Sequence, residues 1–451
     1  MKDIKKNLRR VFWLFFTLFL ITVVYLGHFI IFTSPRIVNT TLNPRVRITR
    51  ENIVRGEILD NSGNPVAVNR YGGRHYPLGS ALAHVIGYVD MGHAGIEERY
   101  NFNLINLHNE VYQRLMNLAF ETELQGDSLA LTINAPLQNL IYSRITRGSA
   151  IVLEPGTGRI LAMVSAPSFD PNYVARDWER LTTDTENTPL LNRAVFGQYP
   201  PGSTFKILTA YAGLSKGYSL FTHNCQGYIT VGNNTVRCFN SVAHGHVNKT
   251  EAFALSCNTY FVALALEMGE EFGEFMESFF VPRNFSLPHN NGNFSLEGED
   301  FTGELMQSAI GQGRVLLSPL NLALLTGAIA NEGVMMEPYL VNNVIDYRGQ
   351  GRRTFRPRAI DTPFSPYLTG YLKTMMTEVV NQGTGRPAAL PHIQIAGKTG
   401  TAETDGASHG WFAGFAPADN PQIVVVVMME HSGGTGPVLP LVRDIVEFYF
   451  R

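Results

Sequence analysis

The sequence predicts an α+β protein: a sheet with helices on both faces, preceded by a small extended module and one membrane-spanning helix. Three observations carry this. Residues 11–32 read VFWLFFTLFLITVVYLGHFIIF and contain no formal charge. Strand-like stretches fill much of residues 36–165 and return after residue 393, around a mostly helical stretch from 203 to 335. Strands, then helices, then strands with a closing helix form a segregated layout rather than alternating βαβ units. The chain's 451 residues, 45% of them apolar, suffice for a sizeable core spread over more than one domain.

As a helix, the apolar run spans about 33 Å, one bilayer core. Lys2, Lys5, Lys6, Arg9 and Arg10 precede it against a single acid, Asp3. Positive charge on that flank keeps residues 1–10 in the cytoplasm and places the remainder outside. A cleaved signal peptide would have a shorter apolar stretch and a small-residue cleavage site, and Ile30-Ile31-Phe32-Thr33-Ser34-Pro35 offers none. The expectation is an uncleaved single-pass anchor over residues 11–32 of the cell membrane. The tail carries +4, which leaves the outer part at −6 within a total of −2. No long basic run follows the tail, so a non-specific nucleic-acid binder is excluded. Three cysteines exclude a disulfide scaffold.

Residues 33–145 read as an extended pedestal module. Arg55-Gly56-Glu57-Ile58-Leu59-Asp60-Asn61-Ser62-Gly63 is a strand entering a turn. Leu107, Val111, Leu115 and Leu118 recur at helical spacing over 107–121. Ala130–Ile133 reads as a strand, and Pro136 opens the next helix. Residues 146–451 form the second domain. It begins with a hairpin, Ala150–Leu153 and Ile160–Val164 around Pro155-Gly156-Thr157-Gly158. It ends with strands at Ile393–Ala396, Gly410–Phe415 and Ile423–Met429 and an amphipathic helix from about Leu439 to Phe450.

Lysine usage points to the chemistry. Arg outnumbers Lys 28 to 8, and past residue 32 only Lys206, Lys216, Lys249, Lys373 and Lys398 remain. Arg keeps its proton in proteins, whereas Lys can lose it. Pro200-Pro201-Gly202 stops one element, and Ser203-Thr204-Phe205-Lys206 begins a helix. Positions i and i+3 share a helix face, so the Lys206 ammonium can approach the Ser203 hydroxyl. Serine is a weak nucleophile that needs a base, and a desolvated lysine serves. Free N–H groups at a helix start suit a developing oxyanion. SxxK alone is weak, with roughly a quarter of a match expected by chance. Its bland reading is a capping serine with a solvated lysine.

Ser256-Cys257-Asn258, read as part of the helix from Glu251, places a hydroxyl and an amide where they can relay a proton and hold a peptide group. Lys398-Thr399-Gly400-Thr401 ends the strand Ile393–Gly397. Gly397 and Gly400 leave room for a substrate to pair as an added strand. Lys398, Thr399 and Thr401 suit a carboxylate. Only a few hundredths of a Lys-Thr-Gly match is expected, roughly, from composition.

In this order SxxK, SxN and KTG resemble the active site of penicillin-binding proteins and serine β-lactamases. Arg55-Gly56-Glu57-Ile58-Leu59-Asp60, Gly95-Ile96-Glu97, Ser168-Phe169-Asp170-Pro171-Asn172, Gly311-Gln312-Gly313 with Ser318-Pro319, and Gly410-Trp411-Phe412-Ala413-Gly414 are similar to class B penicillin-binding proteins. The likeness covers nearly everything after residue 50. It implies a β-lactamase/transpeptidase-like fold and a serine D,D-transpeptidase that cross-links peptidoglycan stem peptides through an acyl-enzyme and is acylated by β-lactams. Ser203 is then the nucleophile, Lys206 the base and Ser256 the proton shuttle. Asn258 holds the donor peptide. Lys398, Thr399 and Thr401 bind its terminal carboxylate, and Gly400 is a further substrate-binding position. The backbone N–H groups of Ser203 and Thr401 form the oxyanion hole. No cofactor is implied, and the implied partner is a polytopic membrane glycosyltransferase. The pedestal is short for class B. A membrane-anchored serine β-lactamase and a weakly active β-lactam-binding scaffold stay open as alternatives.

Cys225 and Cys238 flank a hairpin at Tyr228–Val231, and outside the cytoplasm they could form a disulfide or stay as free thiols. With His244 and His246 they lack the short CxxC or HxxxH step of a zinc site, so no metal is expected. Cys257 reads as a small buried residue and His409 as a packing or surface residue.

Overall fold

The structure, a computed structural model, describes residues 2–29, 53–70, 72–105 and 124–451. The amphipathic stretch 107–121 lies outside the described residues. Helix α1 (Lys2–His28) contains a 23-residue span, Lys6–His28, long and apolar enough to cross a membrane, and none of that window is buried against the protein. A helix that buries nothing in its own protein and is apolar all round suits lipid.

The pedestal strands β1 (Ile58–Leu59), β2 (Pro65–Arg70), β3 (Gly73–His75) and β4 (Ser128–Leu131) belong to a six-stranded sheet. Its last two strands, Val341–Ile345 and Gly351–Thr354, come from far along the chain. The division expected at residue 145 is therefore crossed by a hairpin of the second domain. Glu97 is fully buried and receives Arg55 Nε and Arg74 Nε, each at 2.7 Å. Neutralising Glu97 alone would strand two buried guanidinium groups.

Helix α2 (Ala135–Tyr142), capped by Asn134 with Pro136 in its first turn, leads into β5 (Gly148–Leu153) and β6 (Ile160–Ala166). The stretch 203–335 is less helical than its composition predicts. After α3 (Lys206–Ser215) it contains β7 (Thr222–Cys225), β8 (Tyr228–Val231), β9 (Asn234–Arg237) and β10 (Gly245–Asn248). These are short, half-exposed hairpin strands without an unbroken apolar run, so periodicity does not reveal them. Helices α4 (Lys249–Ala254), α5 (Asn258–Met268), α6 (Pro319–Ala330) and α7 (Pro366–Asn381) follow. The chain closes with β11 (Ala396–Ala402), β12 (His409–Ala416), β13 (Ile423–Met429) and α8 (Val438–Phe450).

A five-stranded antiparallel sheet, ordered β11-β12-β13-β5-β6, forms the frame. Every residue of β13 is buried, because both faces are covered. Val424, Val426 and Met428 point into the core that includes α6, while Ile423, Val425 and Val427 join the core under α2 and α8. That alternation is the two-residue period of a strand. The expected helices on both faces are present.

Strand β11 starts later than Ile393 and Ile395 predict. It begins at Ala396, so Lys398–Thr401 lie inside the strand, paired with β12, and not at its end. Packing overrides propensity here: a Cβ on Gly397 would sit 2.2 Å from the Phe412 ring, so only glycine lets the two strands close. β11 is an edge strand, and its other rim faces the Ser203 segment.

Candidate active site

Ser203 lies in a 3₁₀ turn, Gly202–Phe205, and the α-helix proper starts at Lys206. The helix was expected to begin at Ser203. The tighter turn follows from the left-handed Gly202 (φ +52°), whose N–H donates to Gly311 O at 2.9 Å. A Cβ on Gly202 would lie 2.5 Å from Thr401 O, and one on Gly400 would lie 2.9 Å from Pro201 O. These two glycines bring the Ser203 and Thr401 backbones together, the juxtaposition that an oxyanion hole of their N–H groups requires.

Lys206 has no solvent-exposed surface. Its Nζ donates to Ser256 O at 2.8 Å and Ser256 Oγ at 3.3 Å, and also reaches Asn258 Oδ1. Lys398 is equally buried, and its Nζ donates to Ser256 Oγ at 2.9 Å and Thr399 O at 3.1 Å. The Ser256 hydroxyl therefore bridges both lysine nitrogens. Burial lowers Lys206 to about 7. Burial, and then repulsion from Lys206, hold Lys398 well below the usual ammonium range. The Phe261 ring lies 5.5 Å from Lys206 Nζ and Phe253 5.6 Å from Lys398 Nζ, which offsets part of the lost hydration of any charge that remains.

Ser256 was expected on a helix. It instead occupies the break between α4 and α5 with φ +56°. That left-handed turn aims its hydroxyl at the lysines, and strain of this kind collects where a side chain must be aimed. Asn258 opens α5, and its Nδ2 donates to Arg237 O at 2.7 Å.

Two expected contacts differ. The Ser203 hydroxyl makes no hydrogen bond among the described residues, because the Ser256 carbonyl and Asn258 draw Lys206 Nζ to themselves. Such contacts commonly tighten only when substrate binds. The buried Thr399 hydroxyl pairs with that of Thr384, just past α7, which leaves the half-buried Thr401 as the more accessible of the two threonines.

Sequence reading also missed Glu430. It accepts from Tyr199 OH at 2.7 Å, Arg193 Nε at 2.8 Å and Arg147 Nε at 2.6 Å. Burial alone would raise its pKa, but these donors outweigh it and keep Glu430 a carboxylate. Tyr199 is four residues before Ser203 and packs on Trp411 and His409 of β12, so the network ties the segment leading to Ser203 to the sheet. His409 is a packing residue whose Nδ1 accepts His431 N–H at 3.0 Å.

Cys225 and Cys238 are free thiols with sulfurs 3.6 Å apart, against about 2.05 Å for a bond. Of the two states the sequence left open, the disulfide is not formed and the thiols stay free. Cys257 Sγ lies 3.9 Å from Cys238, and His244 Nδ1 lies 3.4 Å from Cys225 Sγ. All four donor atoms fall within 4.8 Å of one another. The 3.6 and 3.9 Å sulfur separations lie near the about 3.8 Å between sulfurs around a tetrahedral zinc ion, so these residues could hold a metal. The sequence spacing offers no short ligand step, yet the fold gathers these four side chains from β7, the ends of the β9–β10 loop and the start of α5. Alkylation of non-reduced protein is expected to modify as many cysteines as alkylation after reduction. A cysteine pair that reacts only after reduction would contradict this assignment.

For a lysine to take a serine proton it must be stripped of water, and this fold buries two lysines beside the hydroxyl of Ser256. On such a sheet that chemistry defines a serine acyltransferase of the penicillin-binding class. The chain belongs to the penicillin-binding protein transpeptidase family, whose domain description matches residues 148–447. It is 34% identical to the peptidoglycan D,D-transpeptidase PbpA of Mycolicibacterium smegmatis, covering 80% of this chain and 79% of that one. Its identity to MrdA of Acinetobacter baumannii, another peptidoglycan D,D-transpeptidase, is 29% over 90% of this chain and 70% of that one. Among solved structures, penicillin-binding protein A from M. tuberculosis, as a ceftriaxone acyl-enzyme, superposes with TM-score 0.82 at 28% identity, covering 90% of this chain and all of that one.

If Lys206 is the base, the pH profile follows its lowered pKa. Below about 7 the amine is protonated and cannot accept the Ser203 proton; above it the neutral form accumulates. The rate constant for acylation by a fluorescent penicillin is expected to rise through a midpoint near pH 7 and then level off. A flat profile between about pH 5.5 and 8.5 would contradict the assignment.

Proposed function

We propose that the chain is a membrane-anchored serine D,D-transpeptidase that cross-links peptidoglycan stem peptides and is acylated by β-lactams. The single observation that carries this is the Ser256 hydroxyl held between Lys206 and Lys398, with the Ser203 segment packed against the Lys-Thr-Gly-Thr strand. Ser203 attacks the carbonyl between the last two D-alanines of the donor stem, and Lys206 takes its proton. Ser256 passes a proton to the departing amine. The released D-alanine leaves an ester on Ser203, which an amine of a second stem attacks. Asn258 holds the donor backbone. Lys398 and Thr401 take its carboxylate, with Gly400 giving the close approach, and Ser203 N–H and Thr401 N–H receive the oxyanion. Thr399 braces the strand through Thr384.

The apolar N-terminal helix supports a single-pass anchor. The basic residues before it favour a cytoplasmic N-terminus and an extracytoplasmic catalytic domain. A polytopic membrane glycosyltransferase is the partner proposed to supply glycan strands. The names of the relatives, peptidoglycan D,D-transpeptidases, support the reaction.

The test is the fate of a fluorescent penicillin adduct. Slow loss of label, with D-alanine release from a donor peptide in the presence of an acceptor amine, is the expected result. Fast turnover of the adduct would make the chain a β-lactamase, and absence of any adduct would make it a scaffold.

A further inference from the structure

The β7–β10 lobe, residues 222–249, sits between α3 and α4. It contains no Asp or Glu, but it carries Arg237, Lys249, His223, His244 and His246. The chain beyond the cytoplasmic tail is otherwise acidic. A basic lobe in an acidic protein favours an anionic ligand.

The lobe's outer face is ordered. In the β8–β9 hairpin Val236 is buried, while Tyr228, Thr230, Thr235 and Arg237 face outward. The Thr230 and Thr235 hydroxyls bond across this face at 2.9 Å. Tyr228 and Arg237 are cross-strand partners, and the guanidinium carbon lies 5.8 Å from the Tyr228 ring centroid. Among the described residues no carboxylate pairs with Arg237, whereas Arg55, Arg74, Arg147 and Arg193 all have one. Phe239 follows at 79% exposure, and the next two residues, Asn240 and Ser241, hold left-handed backbones at φ +53° and +55°. A large exposed aromatic held out by strained backbone marks a built surface.

This face adjoins the catalytic centre. The Arg237 carbonyl accepts from Asn258, the residue proposed to hold the donor backbone. An extended peptide advances about 3.3–3.6 Å per residue, so Arg237 addresses groups within about two residues of the held amide. Guanidinium groups take carboxylates through two parallel hydrogen bonds, and stacking on an aromatic ring pre-orients the fork.

We propose that Arg237, with its guanidinium over the Tyr228 ring and flanked by Phe239, is a subsite that reads a free carboxylate on the donor peptide held at Asn258. The proposal rests on the transpeptidase reading and names its substrate more narrowly: an acidic stem, preferred over its amidated form.

The test uses the full chain in detergent and two donor peptides ending in D-Ala-D-Ala. They are identical except that one carries a free carboxyl, and the other a carboxamide, two residues before the terminal pair. D-alanine release is expected to favour the acid about tenfold in kcat/KM for the wild type, as a charge-assisted hydrogen bond warrants. Arg237→Ala should abolish the preference and Arg237→Glu should reverse it. Arg237→Gln, closer in shape, should also abolish it and serves where the other two do not fold. Equal rates on the two donors in the wild type, or a preference that survives in Arg237→Ala or Arg237→Gln, would overturn the subsite. Fluorescent penicillin labelling of the wild type separates this from the larger reading, because a wild type that labels without discriminating between donors loses the subsite alone.

Discussion

Lys206→Arg is expected to slow acylation by a fluorescent penicillin about 10²–10⁴-fold although the charge is kept. Lys206 is wholly buried, and its amine loses its proton near neutrality because burial disfavours the charge. A guanidinium stays protonated in any protein environment, so it cannot take the Ser203 proton. Lys206 Nζ already sits against Ser256 O and Asn258 Oδ1, so the larger guanidinium adds a steric penalty. A thermal melt of the same variant separates the two effects. If Lys206→Arg is folded and acylates at the wild-type rate, the lysine is not the base. Lys206→Ala tests the same role without adding bulk, and a comparable loss of rate is expected.

The second large effect is Ser203→Ala, which should eliminate both covalent penicillin labelling and D-alanine release. The substitution removes one oxygen that makes no hydrogen bond among the described residues, and the left-handed Gly202 that shapes the turn is untouched. Stability should therefore change by less than about 1 kcal/mol. Intact-protein mass spectrometry after exposure to penicillin reads the labelling, and a melting curve reads the fold. Ser256→Ala distinguishes relay from nucleophile. It should leave a labelled but slowed enzyme, because Ser203 persists while the hydroxyl shared by Lys206 and Lys398 is lost.

The candidate pair Ser203 and Lys206 was legible because a lysine base would have to lie about one helical turn from its serine, and Lys398 because it is one of few lysines in an arginine-rich chain. The central strands were legible as unbroken apolar runs such as Ile423–Met429. What stayed hidden depends on contacts between distant segments. The aim of Ser256 is set by a left-handed turn that its flanking residues do not announce. Thr384 meets Thr399, and Glu430 meets Arg147, Arg193 and Tyr199, only after the sheet has formed. The Cys225, Cys238, His244 and Cys257 cluster has no short ligand step, because three strands and a helix each bring part of it. The onset of β11 was misread because Ile393 and Ile395 favour strand more strongly than the glycines that build it.

Which atom is acylated decides whether Ser203 is the nucleophile. Digestion of penicillin-treated protein, with mass mapping of the modified peptide, locates that atom directly. The expected result is one adduct per chain, borne by the serine of Gly202-Ser203-Thr204-Phe205-Lys206. An adduct on Ser256, on a cysteine or on any residue outside that segment would contradict it.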